Sequence, residues 1–202
     1  MPPAAFDLFT IGHSNHPIER FLDLVRGAGV TAIADVRSTP ASRRCPWFNA
    51  TRFAPRLEAA GIAYVPLGDA LGGRPRDPRL YRDGVADYAA MAQTDEFRAG
   101  LDRVGEGARR HRVCLMCAER EPLDCHRCLL VAPALAARGF AIGHILADGT
   151  IEPHADTEAR LLKLAGPQSD LFDDRAGRVA AAYAPRAGTA AYRRPAPARK
   201  AH

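Results

Sequence analysis

The feature that most constrains this chain is a repeating alternation. A short apolar run stops at glycine or a small polar residue, and a stretch with helical spacing follows. Phe6 to Gly12 alternates and ends at glycine, which predicts a strand; Pro17 to Ala28 then carries Ile18, Phe21, Leu22 and Val25 at helical spacing. Val30 to Val36 predicts a second strand, stopped by Arg37-Ser-Thr-Pro40. A helix over about Thr51 to Ala60, closed by Gly61, leads to a third strand at Ile62 to Val65. Arg112 to Met116 predicts the fourth strand, Asp124 caps a helix through Ala137, and Phe140 to Leu146 is the fifth. Strands alternating with helices of about ten residues or more build parallel βαβ units with right-handed crossovers. The expected fold is therefore α/β: a mostly parallel sheet of about five strands with helices on both faces, Rossmann-like or flavodoxin-like.

Between these units, Gly68 to Pro78 is rich in glycine, proline and arginine and reads as a mobile loop able to meet an anion. Asp83 or Gly84 caps a helical stretch to about Ala92, and Thr94-Asp-Glu-Phe97 opens another helix reaching Ala108. The expected division is one α/β domain over 1–165 and a C-terminal extension over 166–202. Glu158 to Leu164 adds a helix, and the alanine, proline and arginine bias from about Ala184 predicts a disordered basic end. From Gly177 onward Arg178, Arg186, Arg193, Arg194, Arg199 and Lys200 meet no acidic residue, so much of the net charge of +5 belongs to this end. That charge favours anionic partners, a small molecule or a nucleic acid, without choosing between them.

No apolar run approaches the roughly 20 residues that span a bilayer, and the opening MPPAAFDLFTIGHS has no basic region followed by a long apolar stretch. No membrane association is expected. Four of the five cysteines (Cys114, Cys117, Cys125, Cys128) crowd into fifteen residues, unlike a secreted disulfide framework, so a reducing cytoplasm is the expected location.

In parallel sheets the ligand crevice lies beyond the carboxyl ends of the strands. The first strand ends in Gly12-His13-Ser14, the second in Asp35-Val-Arg37, the fourth in Cys117-Ala-Glu119, and the fifth contains His144. One by one these have plain readings: Ser14 and Ser38 cap turns, Asp35 pairs with Arg37, His144 is a satisfied buried histidine, and the cysteines are packing. Together they deliver His, Asp, Arg, Cys and Glu to one edge. Cys125-His126-Arg127 opens the following helix, where free N–H groups attract anions and lower a nearby thiol's pKa. Cys117 or Cys125 is thus a candidate thiolate, with His13, His126 or His144 as proton carrier and Arg127 or Arg37 as anion grip. Glu119 is a candidate general acid or base.

The four clustered cysteines also form C-x2-C-x7-C-x2-C, which superficially resembles a zinc site. Strand geometry opposes it: in a strand, Cys114 and Cys117 point to opposite faces. No residue is assigned as a metal ligand on this pattern, and the sequence leaves open whether a metal or a cofactor is bound. GxGxxG after the first strand, GxxxxGK[ST] and HExxH are all absent, and a phosphatase-like loop fails because Leu123 stands six residues after Cys117.

Thr10-Ile-Gly-His-Ser14, Asp35-Val-Arg37 with Pro40 and Ser42-Arg43, Gly61-Ile-Ala-Tyr64, Leu71-Gly-Gly-Arg74, Cys117-Ala-Glu119, Cys125-His-Arg127 and His144-Ile145 together resemble the family called domain of unknown function 488, over about Phe6 to Gly149. The resemblance implies an α/β fold and a shared polar pocket. It lends weight to Cys117, Glu119, Cys125, His126 and Arg127, leaves Cys45, Cys114 and Cys128 as particulars of this chain, and implies Trp47 and the arginine-rich loop as pocket walls.

The leading expectation is an enzyme for hydrolysis or group transfer on an anionic substrate, preferably a nucleotide or nucleic acid, because Arg37, Arg43, Arg74 and Arg127 are interleaved with Trp47 and Tyr64, which could stack a base. Two other readings stand beside it: a non-catalytic nucleotide or nucleic-acid binding module, and thiol or sulfur-transfer chemistry at Cys117 or Cys125. The sequence leaves the oligomeric state open.

Overall fold

The computed structural model describes residues 6–166 and 174–195. Strand β1 (Leu8–Gly12) is buried along its length and leads into helix α1 (Ile18–Gly27), whose Phe21, Leu22, Leu24 and Val25 are buried. Then come β2 (Ala32–Asp35), α2 (Ala50–Ala59), β3 (Ala63–Pro66) and the single turn α3 (Gly68–Leu71). A small hairpin, β4 (Tyr81–Arg82) and β5 (Val85–Ala86), precedes α4 (Tyr88–Met91), α5 (Asp95–Ala108) and β6 (Val113–Cys117). A 3-10 turn (Pro122–Asp124) and a π-helical stretch (Arg127–Val131) run into α6 (Ala132–Ala136), followed by β7 (Ile142–Ile145), β8 (Ile151–Pro153), α7 (His154–Ala165) and α8 (Arg175–Ala190).

The main sheet has the order β3-β2-β6-β1-β7-β8, parallel except for β8, which runs antiparallel to β7. The fold is α/β with Rossmann-like layering. Its central strands read as continuous apolar runs because helices cover both faces. Along β6, Val113, Leu115 and Cys117 face a core shared with α5, α6, α7 and α8, whereas Cys114 and Met116 face the core of α1 and α2. β6 lies between β1 and β2. The helices after β1 and β2 leave on one face and the helix after β6 on the other, so a crevice opens beyond the carboxyl ends of these three strands.

Several segments differ from the sequence reading. Asp83 (φ 51°) and Gly84 (φ 76°) form the turn of the β4–β5 hairpin, as Asp-Gly does when both residues take positive φ, and Asp87 is the helix cap, accepting from Ala90 N–H at 3.1 Å. Thr94 does cap α5, accepting from Phe97 N–H at 3.2 Å. The helix expected from Asp124 becomes regular only at Ala132: Pro133 has no N–H for the preceding turn, and the chain widens into a π-helical stretch there. The glycines of 68–78 sit at close approaches to neighbouring groups. A Cβ on Gly68 would lie 2.0 Å from the Arg37 carbonyl oxygen, and one on Gly72 would lie 2.3 Å from Ser38 Oγ. The alanine-rich extension stays helical through Ala184 to Ala190, with Val179 and Ala182 buried, in place of the disordered end expected there. Residues 196–202, with Arg199 and Lys200, lie outside the described residues. No helix among the described residues is long and apolar enough to cross a membrane.

Candidate active site at the carboxyl edge of the sheet

β6 ends at Cys117, and the loop Ala118-Glu119 turns over the end of β1, where Gly12 makes room: a Cβ there would sit 1.8 Å from the Glu119 carbonyl oxygen. After the 3-10 turn the chain returns with Cys125-His126. The Cys117 and Cys125 sulfurs converge on one carboxylate oxygen, Glu119 Oε2, at 2.9 and 3.0 Å. His126 Nδ1 lies 3.6 Å from the Cys117 sulfur and 3.9 Å from that of Cys125. The other ring nitrogen, Nε2, is 2.9 Å from the Val36 carbonyl oxygen and must donate to it, so Nδ1 faces the sulfurs, with a lone pair when the ring is neutral and as a donor when it is protonated; burial lowers the pKa of this ring, but Cys125 outweighs burial and raises it. Gly73 packs so closely on the other side that a Cβ would meet the imidazole at 2.8 Å.

Behind this cluster Arg127 is fully buried. Its Nη1 and Nη2 donate to the carbonyls of Glu119 (2.7 Å) and Arg120 (3.1 Å), and among the described residues its Nε has no partner and no carboxylate pairs with it. The Arg127 N–H points at the Cys125 sulfur, 3.4 Å away. Burial opposes ionisation of Cys125, but the Cys117 hydrogen bond and the Arg127 and His126 charges outweigh it and hold that thiol well below its ordinary range. Burial, reinforced by Cys125, pushes Cys117 well above it, and burial together with Cys125 raises Glu119.

The cluster forms one wall of a cavity of about 490 Å³. Ser38, Ser42, Gly73, Arg74 and Tyr88 also line it, with Ala190 and Tyr192 from the C-terminal segment. The Arg74 guanidinium stacks on the Tyr192 ring at 4.6 Å and has no carboxylate partner among the described residues, while the Arg74 backbone N–H donates to Ser38 Oγ at 2.9 Å. Tyr192 is held by Ala86 N–H, which donates to its carbonyl at 2.9 Å, and by Arg194 N–H, which donates to the Gly84 carbonyl at 2.7 Å.

The family described as Domain of unknown function DUF488 matches residues 17–133, more than half of the 202-residue chain. The chain belongs to the DUF488 family. No curated protein and no solved structure matches it. The family span holds Cys117, Glu119, Cys125, His126 and Arg74, while Tyr192 from outside it completes the cavity of this DUF488 chain.

Of the residues expected at the site, Cys117, Glu119, Cys125, His126, His13, Arg37 and Arg74 line the cavity. His13 and Arg37 do so with their polar atoms committed. Arg37 gives Asp35 a bidentate pair (Nε to Oδ1 2.9 Å, Nη2 to Oδ2 2.6 Å) and donates to the Phe48 carbonyl at 2.8 Å. Arg37 Nη1 lies 3.2 Å from His13 Nε2, so His13 accepts there and donates from Nδ1 to the Ser14 carbonyl at 2.8 Å. Burial, helped by Arg37, lowers His13 to about 4, so at neutral pH the ring braces Arg37 as a neutral group. Tyr64 donates to Asp35 Oδ2 at 2.8 Å and Trp47 donates to the His16 carbonyl at 2.9 Å; neither faces the cavity. Asp35, Ser14 and Arg43 are also absent from its wall, and Arg127 lies behind it.

His144 belongs elsewhere. It is fully buried in a chain running from Thr10 Oγ1 (2.7 Å) through His144 to His154 Nδ1 (3.0 Å) and on to the Tyr183 hydroxyl (3.3 Å). The helix N-terminus expected to receive an anion is turned inward, its first N–H spent on Cys125's own sulfur. Sequence reasoning missed Ser38, Tyr88 and Tyr192. The one signal for Tyr192 is an aromatic-basic triplet, Tyr192-Arg193-Arg194, breaking an alanine-rich stretch.

Proposed function

We propose that this chain is an enzyme that admits an anionic substrate to the cavity and carries out hydrolysis or group transfer there. The supporting observation is that Cys117, Glu119, Cys125 and His126 line the same cavity as Arg74, a cation without a carboxylate partner among the described residues, which stacks on Tyr192. Arg74 grips the anion, Glu119 at the cavity mouth transfers a proton, and the two cysteines and His126 form the reaction centre. The preference for a nucleotide or nucleic-acid end now rests on Tyr192, whose ring offers a stacking face; Trp47 and Tyr64 lend it nothing.

The test is turnover of a panel of nucleotides and phosphate esters by the full chain and by Glu119→Gln and Arg74→Ala. The expectation is a loss of about a hundredfold or more in kcat for Glu119→Gln, and a raised KM for Arg74→Ala. Full activity in both folded variants excludes the assignment. Salt-sensitive nucleotide binding without turnover supports the non-catalytic binding module instead.

A further inference from the structure

Two sulfurs, a carboxylate oxygen and an imidazole lone pair meet within 4.8 Å of one another at the end of β6, and we propose that Cys117, Cys125, His126 and Glu119 bind a single thiophilic divalent cation of the zinc type. Two independent observations lead there, and a third agrees with it.

The first is spacing. A tetrahedral zinc ion with sulfur at about 2.3 Å and nitrogen at about 2.0 Å sets a sulfur-to-nitrogen edge of roughly 3.6 Å. The two edges from His126 Nδ1 to the sulfurs are 3.6 and 3.9 Å. Both sulfurs lie at about 3 Å from one carboxylate oxygen, the distance of thiol hydrogen bonds and shorter than the roughly 3.5 Å sulfur-to-oxygen edge of such an ion, so a cation that replaces the thiol protons also moves the Glu119 carboxylate outward by about half an ångström.

The second is the surrounding shell. A metal-bound histidine donates its far nitrogen to a carbonyl or carboxylate, which fixes the tautomer and aims the ring. His126 does this to Val36 at 2.9 Å, and Gly73 presses on the ring face. A thiolate ligand in turn is braced by the Arg127 N–H, at 3.4 Å from Cys125.

The third is charge. A fully buried guanidinium without a carboxylate partner is costly unless negative charge lies beside it. Two thiolates and a carboxylate around a divalent cation leave one net negative charge, the same as the lone Cys125 thiolate of the metal-free cluster, so Arg127 balances the site in either state. The arrangement is neutral as a whole.

This site is distinct from the four-cysteine pattern. Cys114 faces the opposite core, as strand alternation requires, and Cys128 packs behind with Leu129 and Val131. Only the first cysteine of Cys-Ala-Glu and the cysteine of Cys-His-Arg are used. The site rests on the same four residues as the proposed reaction centre, with Glu119 a ligand in place of a proton carrier while the cation is bound; cation binding is measured without any substrate, so the two readings fail separately.

The experiment uses the full chain, purified under reductant, stripped with chelator and titrated with Co²⁺ and then Zn²⁺. One equivalent of Co²⁺ is expected, with thiolate-to-metal charge-transfer absorption and the ligand-field bands of a four-coordinate ion, displaced by one equivalent of Zn²⁺. Cys117→Ser and Cys125→Ser lose the charge-transfer band, and Cys114→Ser keeps it. Should either serine variant not fold, the wild-type chain still decides: Zn²⁺ must slow iodoacetamide labelling of Cys117 and Cys125, read by mass spectrometry, while leaving that of Cys45 unchanged. The inference is overturned by an absence of saturable cobalt binding, by binding that survives in a folded Cys117→Ser/Cys125→Ser double variant, or by zinc-independent labelling.

Discussion

At the residue scale, the buried pair Asp35–Arg37 shows how a polar constellation divides into working and supporting members. Asp35 accepts from Arg37 and from Tyr64 with under a tenth of either charged side chain exposed. Replacing Asp35 by Ala leaves the guanidinium buried and unpaired, so about 3 to 5 kcal/mol of stability should be lost in urea unfolding, with the site disordered as a consequence. A loss under about 1 kcal/mol would show that water reaches Arg37. The plain reading of these residues as an ion pair was available in the sequence, and so was that of His144 as a satisfied core histidine. Which residues keep free atoms was not, because it depends on contacts such as Phe48 to Arg37 and Thr10 to His144, which join positions distant in the chain. The buried histidines make a second prediction. Burial lowers His154 to about 4, below the unfolded value of about 6.5, so the unfolded chain takes up the proton first as pH falls. The contribution is fully present above pH 6.5 and declines toward pH 4, by about 3 kcal/mol for this group. Urea midpoints should fall between pH 7 and pH 5, and fall less in His154→Gln; identical midpoints for the wild type would contradict a neutral buried ring.

At the element scale, the site is held by backbone approaches that only glycine permits. Gly12 at the end of β1 lies under the Cys117-Ala-Glu119 loop, and the Glu119 carbonyl that a Cβ would strike also accepts from Arg127. Gly12→Ala must displace backbone rather than a flexible side-chain tip, so it is expected to destabilise the fold by about 2 kcal/mol or more and to move Glu119 from the sulfurs. Gly73→Ala strikes the root of the His126 side chain, with Cγ at 2.8 Å and Cβ at 3.0 Å, so it should lower the melting temperature less than Gly12→Ala does while reducing turnover or cobalt binding at His126. A Gly12→Ala protein with wild-type stability and activity would show that the loop adapts freely. Long elements with strong periodicity were legible: β1, α1, β2, α2, β6 and β7 lie close to where apolar spacing puts them. The hairpin and β8 were not, because strands of two or three residues carry no periodic signal and form through partners elsewhere.

At the scale of the whole molecule, composition misleads most at the C-terminal segment. Alanine, proline and arginine suggest a solvated basic tail, yet α8 packs on α7 and the segment after it lays Tyr192 along the hairpin and over the cavity. Two stop points separate charge from placement. A chain ending at Pro195 loses Arg199 and Lys200 and keeps Tyr192, Arg193 and Arg194. One ending at Ala184 also loses Arg186, which donates to the Leu123 carbonyl at 2.9 Å beside the cysteine loop, and the Tyr192 face against Arg74. If distant charge steers the anion, both truncations should weaken nucleoside monophosphate binding at low salt, and the difference from wild type should vanish at high salt. If Tyr192 and Arg186 build the cavity, the Pro195 stop should bind as wild type does. The Ala184 stop should then lose about tenfold or more at every salt concentration, the scale of one lost stacking contact. Calorimetric titration of the three chains decides between them, and the cavity geometry favours the second outcome, because Arg74 has its stacking partner in Tyr192.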